Sequence, residues 1–258
     1  MESAAAPVVR RLLVGLGNPG EKYHMTRHNI GKMAAMYYMK QHTQAQWQDV
    51  KRVHGEVLVA QTAFKHDDLV DRISERRKKR TEQEGVPYPI VDLHGLLPST
   101  YMNRSGMSVR SYMDQNRFRL KNNALAMNKH DELLVLTDDI SLPFGTVKFK
   151  VKGGHGGQNG VRDVIKCVAT EKFARFKVGI GCPTWFANPS NNGNPPPGLQ
   201  LNKYVLGRFQ PHEQDAMQDL LEYCAALLRV YVHRGLNEAT AVANSGDMHT
   251  YAKKKKVK

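Results

Sequence analysis

The chain has no apolar run that approaches the length of a bilayer span, so no membrane-crossing helix is expected. Residues Met1–Arg11 carry Glu2 and no apolar stretch, so a secretory signal is not expected there. The same segment is short for an organellar transit peptide. A cytoplasmic location is the first expectation, with mitochondria or another organelle as the alternative. Cysteine is scarce: Cys167, Cys182 and Cys224 are far apart and odd in number. That argues against a disulfide framework and for a reducing compartment. None sits in a C-x-x-C pair, and the eleven histidines include no H-E-x-x-H. His24 and His28 are spaced like two ligands on a helix but lack a third, so no structural metal is expected. Acidic residues are also few, 24 against 38 Lys and Arg.

That imbalance leaves a net charge of +14 and a pI near 9.7. It favours an anionic partner, nucleic acid first. The plainer alternative is a basic tail, because Lys253–Lys256 alone carry four of those charges. Hydrophobic residues make up 41% and charged residues 24%, a composition that can bury a full core.

The most informative stretch runs from Leu12 to Gly31. Leu12-Leu13-Val14 reads as a buried strand. It ends in the loop Gly15-Leu16-Gly17-Asn18-Pro19-Gly20 and leads through Thr26-Arg27-His28-Asn29 into a helical pattern. Ile30, Met33, Ala34, Tyr37 and Gln41 are predicted to share one face of that helix. The loop fits G-x-G-x-x-G, the fingerprint of a dinucleotide site. That fingerprint needs a helix opening on its last glycine and an acidic residue about 20 positions on. Here Gly20 is followed by Glu21-Lys22-Tyr23-His24, and no Asp or Glu lies between His24 and Gln48.

Further strands are predicted at Val53–Ala60, Ile90–Leu97, Glu132–Leu136, Thr146–Lys152 and Phe173–Ile180. Residues Lys65–Tyr88, with three aspartates and the pentamer Arg76–Arg80, read as a solvated insertion; a nuclear address or an RNA-contacting arm are the other readings. Thr137-Asp138-Asp139 puts carboxylates at the C-terminal end of a buried strand, where open α/β sheets carry function. Lys148, Lys150 and Lys152 alternate with apolar residues and are predicted on one strand face. Gly153–Gly160 is a glycine-rich loop but no P-loop, since no G-K-[ST] follows. Helices are predicted after Ser105, with Val109, Tyr112 and Met113 inward, over Val161–Val168, and over Asp215–His233. Pro183–Gly198 is an irregular loop, and the chain from Asp247 on is expected to be a disordered basic tail.

Five blocks now stand in order: GLGNPGEKYHMTRHNIG, STYMNRSG, DDISLPFG, GGHGGQNG and KYVLGRF. Together they resemble the bacterial-type peptidyl-tRNA hydrolases. The resemblance implies hydrolysis of the ester between peptide and tRNA, with no cofactor. It implies His28 as general base and Asp138 as the carboxylate that orients it. Asn18 and Asn103 would contact the peptide and terminal nucleotide, and Asn159 would position water or the developing oxyanion. Tyr23 and Met102 would line the groove, with ordinary core packing as the competing reading. Lys150 and Lys177 would grip phosphate. Three positions depart from the pattern. Gln158 replaces a usual His, Thr137 stands where a His is common, and Lys177 stands where an Arg is common, which keeps charge but loses bidentate geometry.

The expected architecture is a single α/β domain, a three-layer sandwich with a twisted mixed sheet between helices. It covers residues 8–244, with the charged insertion at 65–88, an N-terminal tail at 1–7 and a basic tail at 245–258. The expected partner is peptidyl-tRNA, with the ribosome as a further candidate, no membrane, and a monomeric state. A non-catalytic RNA-binding, ribosome-associated, assembly or splicing factor on the same fold is the alternative.

Overall fold

Why the central strands carry apolar runs such as Leu12–Val14 and Leu133–Leu136 is visible in where their side chains go. Along Val8–Gly15 (β1), Leu13 joins an apolar cluster on one side of the sheet, while Leu12 and Val14 join a second cluster on the other. Glu132–Asp139 (β5) repeats this, with Leu134 and Leu136 on the first side and Leu133 and Val135 on the second. Side chains two apart share a face, so an uninterrupted apolar run means a strand covered on both faces. The computed structural model describes residues 8–62, 90–118, 120, 132–181 and 201–256. The expected N-terminal tail, the Lys65–Tyr88 insertion with its basic pentamer, Cys182 and the Pro183–Gly198 loop lie outside these.

Among the described residues, seven strands form one sheet in the order β2-β3-β4-β1-β5-β7-β6. The other strands are β2 (Gln48–Val50), β3 (Gly55–Thr62), β4 (Ile90–Pro98), β6 (Val147–Lys150) and β7 (Ala174–Gly179). β4, β1, β5 and β7 run parallel, and the two margins are antiparallel. One face is covered by α1 (Ile30–His42), with residues of α6 (Met217–Arg234) and α7 (Leu236–Asn244) in the same core cluster. The other is covered by α2 (Ser105–Gln115) and α3 (Asn159–Val168). The expected mixed sheet between helices is therefore observed. Short helices α4 (Leu201–Val205) and α5 (Pro211–Asp215) precede α6. Among the described residues no helix is long and apolar enough to cross a membrane.

Several details differ from expectation. The buried face of α1 is Ile30, Gly31, Ala34, Ala35, Tyr38 and Met39, while Met33 and Tyr37 are only partly buried and Gln41 is exposed. The helix approaches β5 too closely for larger side chains: a Cβ on Gly31 would stand 2.2 Å from the Leu136 carbonyl oxygen. β2 has no counterpart among the expected strands; its three residues pair antiparallel with β3. The strand expected from Val53 begins at Gly55, because Lys51–Val53 forms a 3-10 turn and His54 sits in the left-handed region, φ 51°. The chain after Asp247 is helical: Met248–Lys256 (α8) buries Met248 and Tyr251, whose ring packs 5.5 Å from that of Tyr223.

Candidate active site

The C-terminal ends of β1 and β5 and the N-termini of α1 and α3 converge on one place. Arg27–Asn29 is a 3-10 turn running directly into α1, and all three of its residues are buried. Burying that turn requires partners for its polar groups. Arg27 forms a 2.6 Å ion pair with buried Glu213 and lies 4.4 Å from the Tyr204 ring centroid and 5.3 Å from that of Phe209. Its backbone N–H donates to the Gly207 carbonyl. The KYVLGRF block thus clamps the turn that carries His28. Asn29 closes the glycine loop from the other side: its Oδ1 accepts from the Asn18 N–H at 2.8 Å, and its Nδ2 donates to the Asn18 carbonyl at 3.0 Å. Neither Arg27 nor Asn29 stood out in the sequence as more than motif letters.

His28 points at the end of β5. Its Nδ1 lies 2.9 Å from Asp138 Oδ2, and the residues are 8% and 3% exposed. With an ionised carboxylate there, Nδ1 carries the proton and donates, leaving Nε2 as the basic nitrogen. His24, the other member of the four-residue spacing, is exposed and lines a separate groove. The second Asp138 oxygen, Oδ1, accepts from Gln158 Nε2 at 3.0 Å, with Thr137 Oγ1 at 3.4 Å. Gln158 is the N-cap of α3, its Oε1 accepting from the Val161 N–H at 2.7 Å. The non-histidine at position 158 therefore touches the Asp138 carboxylate itself.

A cavity of about 200 Å³ opens beside this pair. His28, Asp138, Gln158 and Asn159 line it, as do Lys150, Lys177 and Arg175. Asn159, the first residue of α3, is exposed. Antiparallel register sets Lys148 beside Lys177 and Lys150 beside Arg175, so four cations share one sheet face. They are not equivalent. Lys177 Nζ forms an ion pair with Asp139, whose carboxyl is held below the usual carboxylate range by Lys177 and Ser141 against the effect of burial. Lys148 and Lys150 are exposed, alternating with buried Val147 and Phe149. Arg175 is 2% exposed, and none of its three guanidinium nitrogens has a hydrogen-bond partner among the described residues. Burial pushes its pKa below the usual arginine range. Arg175 was missed in the sequence, although its spacing two residues before Lys177 puts both on one face.

The remaining expected residues lie around rather than in this cavity. Asn18 Oδ1 accepts from the Met102 N–H at 2.8 Å, tying the two loops together. Met102 is 4% exposed within a core cluster, its Sδ 3.3 Å from Gln158 Nε2. Core packing is thus part of its work. Asn103 is exposed on the 3-10 turn Met102–Arg104. Tyr23 meets Tyr101 edge to face, ring centroids 6.5 Å apart.

Comparisons with known proteins bear on the family and the fold. A model of the family described as peptidyl-tRNA hydrolase matches residues 12–254. The peptidyl-tRNA hydrolase of Gloeobacter violaceus is 32% identical over 235 residues, covering 91% of this chain and 94% of that protein. That of Shewanella woodyi is 34% identical over 230 residues, covering 89% and 93%. The crystal structure of peptidyl-tRNA hydrolase from Acinetobacter baumannii superposes with a TM-score of 0.65 at 23% identity, covering 95% of this chain and 100% of that one, and so attests the fold. By the family match and by these relatives, the chain belongs to the peptidyl-tRNA hydrolase family.

Proposed function

We propose that this protein hydrolyses the ester linking a peptide to the 3′ end of tRNA. The observation that carries the reading is the buried His28–Asp138 pair opening on a cavity that also holds Asn159 and several cations. His28 Nε2 takes a proton from water as the oxygen attacks the ester carbonyl. Asp138 stabilises the imidazolium that forms and keeps Nδ1 protonated. Asn159, exposed at the cavity wall, donates to the oxyanion or orients the water. The C–O bond to the ribose then breaks, His28 returns its proton to the departing ribose oxygen, and the peptide leaves as a carboxylic acid that loses its remaining proton to solvent. These steps use only protein groups and water.

Asn18 serves the substrate through its amide NH2, since its oxygen is already engaged by Met102. Asn103 and Tyr23 flank the approach. For phosphate, Lys150 and Arg175 are the better pair, because Lys177 is held by Asp139. The protein works as a monomer on peptidyl-tRNA in the compartment of translation. The non-catalytic alternative gains nothing from these observations, since the base and its carboxylate are both present and paired.

The test is release of acetylated amino acid from N-acetylaminoacyl-tRNA by purified protein, beside free aminoacyl-tRNA. Release from the blocked substrate, and little from the free one, is expected. A free amine would bring a cation to asparagines that offer it no carboxylate. No release from either would remove the hydrolase reading.

A further inference from the structure

Gln158 has both ends of its amide committed. Its oxygen accepts the Val161 N–H at 2.7 Å, completing the cap of α3. That fixes the amide's orientation, because a flipped group would set NH2 against a backbone N–H. The NH2 end therefore faces Asp138 Oδ1 at 3.0 Å, while Asp138 Oδ2 meets His28 Nδ1 at 2.9 Å. α3 is also packed closely against α2. A Cβ on Gly106 of α2 would stand 2.1 Å from the Asp163 carbonyl oxygen, and the Gly106 N–H donates to Asp163 Oδ2 at 2.7 Å. The N-terminus of α3 thus holds one carboxylate oxygen and leaves the other to His28.

We infer that Gln158 is a positioning residue for His28, acting through Asp138: its fixed NH2 holds Oδ1, so that Oδ2 accepts the Nδ1 proton and Nε2 stays free to act as base. The kinetic readout rests on the proposed hydrolase reaction; the geometry does not. The arrangement has a sharp consequence. In Asp138→Asn, the Gln158 donor claims the new amide's oxygen, which turns the new NH2 toward His28. The ring must then accept at Nδ1 and carry its proton on Nε2, the wrong tautomer for a base. In Gln158→Glu the cap acceptor is kept, but two carboxylate oxygens face each other and repel. In the double variant D138N/Q158E the roles are exchanged. The amide NH2 introduced at position 138 donates to the new carboxylate, the amide oxygen turns to His28, and the productive tautomer returns.

The experiment measures kcat, KM and Tm for wild type, D138N, Q158E and D138N/Q158E on N-acetylaminoacyl-tRNA. The ring nitrogen shifts of His28 are read in parallel by NMR. Each single variant should lose at least about tenfold in kcat, and the double variant should recover at least about tenfold over D138N, a coupling within the range seen for contacting side chains. KM should stay within about twofold, because the contacts altered are to the base and not to bound substrate. The His28 proton should sit on Nε2 in D138N and on Nδ1 in the double variant. Losses that multiply, with the same His28 tautomer in D138N and the double variant, would overturn the inference. So would a Q158E enzyme with wild-type kcat, which would leave Gln158 as a helix cap and nothing more. A wild type that releases nothing would instead sink the hydrolase reading, and the NMR tautomers would still decide the role of Gln158.

Discussion

Replacing Arg175 by methionine should make the protein more stable and poorer at holding RNA. Interior side chains seldom behave this way, since removing one ordinarily costs stability. Arg175 is 2% exposed, and its three guanidinium nitrogens find no hydrogen-bond partner among the described residues. Its compensations among those residues are the Phe173 ring, 4.1 Å from Cζ to centroid, and the charge of Glu171. A buried polar group left unsatisfied costs about 1–3 kcal/mol, and a charged one more. A cation–π contact returns about 0.5–2 kcal/mol of that. Methionine keeps most of the packing volume and removes the charge, so a net gain of about 1–3 kcal/mol is expected. At about 2–4 °C per kcal/mol for a domain of this size, Tm should rise by about 2–12 °C. Binding should move the other way. If Arg175 and Lys150 receive a phosphate, losing one cation should flatten the plot of log affinity against log salt by about one unit. Thermal unfolding and a salt series of tRNA binding on the same preparation check both. A variant with lowered Tm and an unchanged salt slope would make Arg175 an ordinary packed side chain with no part in holding RNA.

His233 gives a pH prediction. Burial, reinforced by Arg229, Arg11, His42 and Arg234, lowers its pKa to about 4. In the unfolded chain it takes up a proton near pH 6.5, so the unfolded state binds more protons between those values. Stability is therefore full above about pH 6.5 and falls as pH drops toward 4, by up to about 3 kcal/mol from this group. Denaturation at pH 7 and 4.5 should show His233→Gln losing less than wild type; equal losses would exclude this group as the cause. Gly31→Ala should force α1 off β5, since its Cβ would lie 2.2 Å from the Leu136 oxygen. Overpacking of that kind costs about 1–3 kcal/mol, and a drop of several degrees in Tm with at least about a tenfold fall in kcat is expected. Unchanged Tm and turnover would show that the helix can shift without disturbing His28.

Much of the candidate site is readable because its parts lie in short unbroken motifs. His28 follows one strand and Asp138 ends another, and parallel pairing of β1 with β5 brings both to the C-terminal end of the central strands. What the sequence hid depends on distances across the fold. Nothing local says that Gln158 reaches Asp138, 20 residues earlier. Nor does the strand pattern reveal that Asp139 captures Lys177, because that pairing is set by the β5–β7 register. The expected face of α1 holds at Ile30 and Ala34 and fails elsewhere for a different reason. Large apolar residues suggested the buried stripe, yet the close contact with β5 is made through Gly31, and it is Met33, Met36 and Tyr37 that line an outer groove. The lysines of the tail point to disorder. Two residues three apart, Met248 and Tyr251, were enough to seat a helix.

The proposed reaction depends above all on His28. Wild type and His28→Ala should be compared in single-turnover hydrolysis of N-acetylaminoacyl-tRNA, with tRNA affinity measured separately. The variant should lose at least the roughly hundredfold to ten-thousandfold of a missing general base, while tRNA affinity holds because the cations are untouched. A His28→Ala enzyme that turns over within a few-fold of wild type would remove His28 from the reaction and leave the buried pair with Asp138 a structural contact.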